Sequence, residues 1–106
     1  MGDVAAEPGS RHDELIVRDN PEKRRYEAHV GPELAGFSTY HVQPGLFTVM
    51  HTQIEPAFEG RGVGSQFVAS MLDDIRSRKA RVLPMCPFVR AFLEKHPEYA
   101  DVVWAP

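Results

Sequence analysis

Apolar and polar residues alternate with a period of two from Arg25 to Val30, with Tyr26, Ala28 and Val30 on one side and Arg25, Glu27 and His29 on the other. That is the pattern of a half-buried strand. Before it, Glu14-Leu15-Ile16-Val17-Arg18 predicts a shorter strand, closed by the turn chemistry of Asp19-Asn20-Pro21. After Gly31-Pro32-Glu33 come two more apolar runs, Leu34 to Val42 and Leu46 to Glu55, joined by Gln43-Pro44-Gly45. Up to this point the chain reads as a four-stranded antiparallel meander. The period then changes. Apolar residues fall at Val63, Phe67, Val68, Met71, Leu72 and Ile75, one stripe of a helix, with Asp73, Asp74, Arg76 and Arg78 on the remaining faces.

Arg81-Val82-Leu83-Pro84-Met85 predicts a fifth strand, its proline limiting pairing on one side. Pro87 suits the first position of a second helix and places Cys86 at the cap. Phe88, Ala91, Phe92 and the stem of Lys95 are expected to face the sheet, and Pro97 ends the helix near His96. Glu98 to Pro106 is expected to pack as a last extended or turn-like segment, with Tyr99 and Trp104 as packing residues. Residues 1–12, rich in Gly, Ala, Pro and Ser, read as a flexible tail, and 13–106 as a single domain. The class is α+β, a mostly antiparallel five-stranded sheet with two helices.

At 106 residues the chain can bury one modest core. A formal net charge of −3 argues against nucleic acid as a partner, which would need a cationic surface. Lys23-Arg24-Arg25 is the main basic cluster and fits a solvated hairpin end. From Leu34 to Ile54 there is no Asp, Glu, Lys or Arg, yet Gln43, Pro44, Gly45 and two histidines fit a buried hairpin better than a membrane span. One cysteine, Cys86, excludes an internal disulfide and a Cys-based metal cluster. The histidines show no ligand spacing, so no metal is expected. No apolar signal segment precedes His12, and the expected location is the cytoplasm.

Phe58-Glu59-Gly60-Arg61-Gly62-Val63-Gly64-Ser65 leads from a strand into the long helix. Such a junction suits phosphate, because first-turn amides point outward and the helix dipole adds partial positive charge. Glycines at 60, 62 and 64 would let a pyrophosphate approach the backbone, and Arg61 would add a contact from the rim. A glycine triplet by itself serves equally for tight turns and close helix–sheet contacts. No Lys-Ser/Thr pair follows, as a P-loop requires, and the preceding meander does not fit a dinucleotide fingerprint.

The order of meander, glycine turn, helix, strand and helix resembles the GNAT superfamily of acetyl-coenzyme A-dependent N-acetyltransferases. Their signature is Arg or Gln, two residues, Gly, one residue, then Gly or Ala; here Glu59 stands in the first place, before Gly60-Arg61-Gly62-Val63-Gly64. Three segments are similar to the short, single-domain branch that lacks the usual N-terminal helices. They are Val82 to Val89, His96-Pro97-Glu98-Tyr99-Ala100-Asp101, and Glu55-Pro56-Ala57-Phe58-Glu59-Gly60-Arg61-Gly62. The resemblance spans roughly Glu14 to Val103. It implies acetyl-coenzyme A as co-substrate, wedged where the fourth and fifth strands part. The cofactor residues would be Ile54, Phe58, Glu59, Gly60, Arg61, Gly62, Val63, Gly64, Ser65, Cys86, Pro87 and Phe88.

Acetylating an amine requires its neutral form, and an alkylammonium has a pKa of about 10.4. Glu55 and His51 are the candidate bases, sharing strand parity with Val49 and Gln53. The resemblance implies an oxyanion donor among the backbone amides near Ile54 to Pro56, where Pro56 has none to give. Many larger relatives place a tyrosine in the last helix to protonate the leaving thiolate; Leu93 stands at that register. Cys86 is therefore a third catalytic candidate, as proton donor or as a nucleophile favoured by a helix N-terminus. The other reading of Cys86 is a small apolar side chain packed at the strand–helix junction. Two functions follow: transfer of an acetyl group from acetyl-coenzyme A to an amine of a small molecule or protein, or an acyl-coenzyme A-binding module with little or no transferase activity. A monomer or weak homodimer is expected, without membrane contact.

Overall fold

The structure, a computed structural model, describes residues 14–106. The tail expected over residues 1–12 lies outside them. Five strands form one sheet in the order β1 (Leu15–Asn20), β2 (Arg25–Val30), β3 (Glu33–Gln43), β4 (Leu46–Ile54) and β5 (Arg81–Pro84). The first three pairings are antiparallel and β4–β5 is parallel. Parallel neighbours need a crossover. Helix α1 (Val63–Ser77) supplies it, and α2 (Pro87–Lys95) follows β5. The architecture is the α+β one the alternation predicts, with β1 running on through Asp19 and Asn20. There the Asn20 side chain accepts from the Lys23 amide and caps a short 3-10 turn, Pro21–Lys23.

The predicted helical stripe is the buried one: Val63, Phe67, Val68, Met71, Leu72 and Ile75 all meet the core. They pack on Tyr26, Ala28, Tyr40, Phe47, Val49 and Val82 from the inner side of the sheet. Burying each large side chain there contributes about 1.5–3 kcal/mol. In α2 the expected face is right only at Phe92. Val89 and Phe92 are buried, whereas Phe88 is 43% exposed and Ala91 is exposed. The nine-residue helix leans its Val89–Phe92 edge on the sheet and turns Phe88 towards the start of α1. The tail forms a 3-10 turn, Pro97–Val102, and then lies along β5, with the Trp104 amide donating to Val82 O at 2.8 Å. Tyr99 packs 5.6 Å from the Phe92 ring, while Trp104 stays 42% exposed.

Paired polar groups brace α1 against the sheet. Tyr26 Oη donates to Asp74 (2.6 Å), Tyr40 Oη donates to Asp19 (2.5 Å), and Arg78 bridges both carboxylates at 3.0 Å. Burial, reinforced by these carboxylates, raises both phenols above the usual tyrosine range. The helix ends in a left-handed cap at Lys79 (φ 60°), with Lys79 N–H on Arg76 O and Ala80 N–H on Ile75 O. Glycine is the residue that adopts this conformation without strain.

Among the described residues, no helix covers the opposite face of the sheet. On it Glu27, with 13% of its side chain exposed, accepts from Asn20 Nδ2 (3.1 Å), Arg25 Nε (2.8 Å) and His29 Nε2 (3.1 Å). Burial alone would raise this carboxyl, but those hydrogen bonds outweigh it and hold the group at about 2, down from 4.5. A cleft of about 560 Å3 opens beside it, lined in part by Ile16, Arg18 and His29.

Two stability outcomes follow. Lys79→Gly should stabilise by about 1 kcal/mol in urea unfolding, with an unchanged m-value; no gain would contradict the strained cap. Glu27→Gln should cost stability at pH 7. A depressed folded-state pKa stabilises above the unfolded value and stops doing so as pH falls through the folded one. The gap between Glu27→Gln and parent should therefore close between pH 4.5 and about 2; a gap independent of pH would contradict the ionised cluster.

Candidate functional site

The parallel pairing of β4 with β5 runs from Leu46↔Arg81 to Val49↔Pro84 and ends with Met85 N–H on Val49 O (3.0 Å). Beyond that point β4 continues to Ile54 along β3, while the other chain turns away through Cys86 into α2. A wedge opens between them. Glu55 N–H is spent on Ala35 O (2.8 Å), and Pro56 has no N–H. Because amides alternate between the two edges of a strand, the Ile54 amide points to the edge that β5 has left. Of the three residues expected to hold an oxyanion donor, Ile54 is the one that has it to offer.

A bulge changes the side on which residues fall. Thr39 pairs with His51 and Tyr40 with Val49, so Met50 is the extra residue on β4. Val49 is buried among the helices, but His51 and Gln53 are exposed. The parity expected to unite His51 and Gln53 with Val49 is therefore overturned, because one inserted residue inverts the alternation after it, while His51 and Gln53 still share a side. His51 stands on the uncovered face, its ring 6.3 Å from Phe37. Thr52 and Ile54 instead turn towards the helices.

At the mouth of the wedge, a one-turn 3-10 segment, Pro56–Phe58, buries Phe58 and aims the chain at the glycine turn. Gly60 and Gly62 are left-handed (φ 78° and 76°), and a Cβ added at either would meet nothing within 4 Å. Gly62 caps α1 without a side-chain hydrogen bond, and no acidic residue occupies the first turn. Among the described residues, none of the amides from Gly60 to Ser65 donates to a backbone carbonyl. These are donors in open space at the positive end of a 15-residue helix. Arg61 lies over the Phe58 ring (5.1 Å) at the rim. Gly64 differs from its neighbours. A Cβ there would sit 2.5 Å from Phe88 Cζ, so its missing side chain accommodates that ring rather than a ligand. Ser65, Phe88, Ala91, Phe92, Lys95 and His96 line a groove of about 100 Å3 between the two helices.

Cys86 occupies the cap position of α2 in extended conformation, but its side chain does not cap the helix. The thiol, in a residue 2% exposed, donates to Thr52 Oγ1 at 3.4 Å. Thr52 Oγ1 is in turn 2.9 Å from Ser38 Oγ, in a residue fully buried. The wedge thus brings Ile54, Cys86, Pro87 and Phe88 near the turn from Phe58 to Ser65. It does not bring His51 to Cys86, since the sheet stands between them. Half-buried Glu55 joins β4 to the turn, its carbonyl accepting the Phe58 amide (2.8 Å). Sequence reasoning misses Thr52, whose inward turn depends on the bulge, and Ser38, which faces inward with Tyr40 by alternation and meets Thr52 only because of it.

Residues 25–102 match the profile of the GCN5-related N-acetyl-transferase family. No curated protein matches the sequence. Several solved structures share the fold, among them two that are acetyltransferases by name. A GCN5-like protein of Staphylococcus aureus, named an N-acetyltransferase by likeness and solved by NMR, is 20% identical with a TM-score of 0.64, covering 87% of this chain and 90% of its own. The ribosomal-protein-S18-alanine N-acetyltransferase of Escherichia coli is 12% identical with a TM-score of 0.57, covering 84% of this chain and 57% of its own.

The close approach of Gly64 to Phe88 is testable by a double-mutant cycle. Gly64→Ala should destabilise the parent, yet stabilise a Phe88→Ala background by up to about 1 kcal/mol through helix propensity. Equal effects in both backgrounds would show that the two do not touch.

Proposed function

Because the chain belongs to the GCN5-related N-acetyltransferase family, we propose that it moves an acetyl group from acetyl-coenzyme A to an amine of a small molecule or protein. The observation that carries this reading is the open glycine turn beside the parted strands. Gly60 and Gly62 leave free the space that side chains would fill, and unpartnered amides converge there. These features fit a diphosphate, held by the amides of Gly62 to Ser65 with Arg61 at the rim. The vacated edge of β4 would take the pantetheine arm, and the α1–α2 groove by Ser65 and Phe88 the end beyond the diphosphate. When bound, acetyl-coenzyme A supplies an acetyl group activated as a thioester.

The two faces of the sheet divide the proton work. An acceptor approaching from the uncovered side meets His51 and the end of β4 at Glu55, either of which would take the ammonium proton. The Ile54 amide would steady charge developing on the carbonyl oxygen. Cys86 Sγ, on the helix side, would return a proton to the departing sulfur, standing in for the tyrosine whose register Leu93 occupies. No helix of the described residues is long and apolar enough to cross a membrane; we place the protein in the cytoplasm, with residues 13–106 acting as one domain.

Titration with acetyl-coenzyme A tests the reading, with thiol release over an amine panel testing transfer. Ligand at one hundred times its Kd should stabilise the fold by about 2.7 kcal/mol. Gly62→Val should weaken binding at least about tenfold, the cost of one lost charge-assisted contact, and strain at its left-handed φ should lower Tm by no more than roughly 10 °C. Neither heat nor a Tm shift from the parent protein would reduce the turn to a structural one.

A further inference from the structure

Resting on the reading of Cys86 as the group that works at the thioester, we propose that Thr52 is its positioning residue, backed by Ser38. Three polar side chains meet inside an otherwise apolar interior: Ser38 Oγ 2.9 Å from Thr52 Oγ1, and Thr52 Oγ1 3.4 Å from Cys86 Sγ. Ser38 is fully buried and Cys86 is 2% exposed. Among the described residues no buried side-chain nitrogen or oxygen lacks a partner, so the chain of contacts is complete. The Met50 bulge creates it, by turning Thr52 inward opposite Ser38.

A hydroxyl both donates and accepts, which gives this chain two polarities. With the thiol protonated, Cys86 donates to Thr52 and Thr52 donates to Ser38. Once the sulfur has given up its proton, Ser38 donates to Thr52, and the Thr52 hydroxyl rotates to donate a hydrogen bond to the thiolate. The same oxygen therefore holds the sulfur in one direction in both states. The negative sulfur gains a charge-assisted bond in a site closed to bulk water. Neither Thr52 nor Ser38 needs to touch the acetyl group.

The test is the second-order rate of reaction of Cys86, the only cysteine, with methyl methanethiosulfonate at one fixed pH. The thiolate sulfur attacks the reagent's sulfenyl sulfur, a methyl disulfide forms, methanesulfinate leaves, and the thiol proton goes to buffer. Thr52→Val keeps the shape and removes the donor, and should slow the reaction about tenfold. Thr52→Ser should restore it to within about threefold, and Ser38→Ala should fall between. A merely structural role predicts the opposite sign, because a loosened wedge would expose the thiol and speed the reagent. An unchanged or faster rate in Thr52→Val, or no rescue by Thr52→Ser, overturns the proposal. Should Thr52→Val fail to fold, Ser38→Ala decides: a rate unchanged from the parent overturns it. Acetyl-coenzyme A binding by the parent protein, measured separately, tells failure of the cofactor reading apart from failure of this one.

Discussion

Parallel pairing between β4 and β5 can persist only while both chains have amides and carbonyls to exchange and lie in one surface. Two residues end it together. Met50 is an extra residue that bends β4, and Pro87 starts a helix that draws the chain out of the sheet. The last bond, Met85 N–H to Val49 O, marks the vertex. From it follow the unclaimed edge of β4 at Ile54, the burial of Cys86 at the junction, and the placing of the glycine turn at the open end.

A wedge is useful only if its walls hold still. On the helix side, α1 is fixed at one end by the Tyr26–Asp74–Arg78–Asp19–Tyr40 brace and at the other by Phe58 and the Phe88–Gly64 contact. Between them its apolar stripe covers the sheet. The helix N-terminus is thereby held without a capping side chain, its first amides unclaimed by backbone carbonyls among the described residues. The other face of the sheet is left open. Its Glu27 cluster holds the edge of β1 to β2 with charge and hydrogen bonds instead of apolar cover.

Much of this was legible in the order of residues. Period two gave the meander and period 3.6 gave α1, because in both a single face is buried and the pattern is strict. The glycine turn was legible because left-handed backbone needs glycine at 60 and 62. What escaped was local and two-bodied. Nothing in Val49-Met50-His51-Thr52 marks the extra residue, since any of them fits a strand; the bulge exists only relative to β3. With it went the side on which His51 and Gln53 fall, and the inward turn of Thr52 to Ser38. In α2, a helix of nine residues has too few apolar positions to define its buried edge, so the pattern does not single out buried Val89 over exposed Phe88. Gly64 looked like its neighbours; only the position of Phe88, in a different element, reveals that it serves packing.

Backbone amide shifts in the 15N–1H NMR spectrum, followed as acetyl-coenzyme A is added, reach the wedge most directly. The largest changes should cluster at Gly62, Val63, Gly64 and Ser65 and at Ile54 on the vacated edge of β4, leaving the Glu27 side of the sheet still. Saturable binding with shifts confined to the uncovered face, or no shift at the helix N-terminus, would contradict the wedge as the cofactor site.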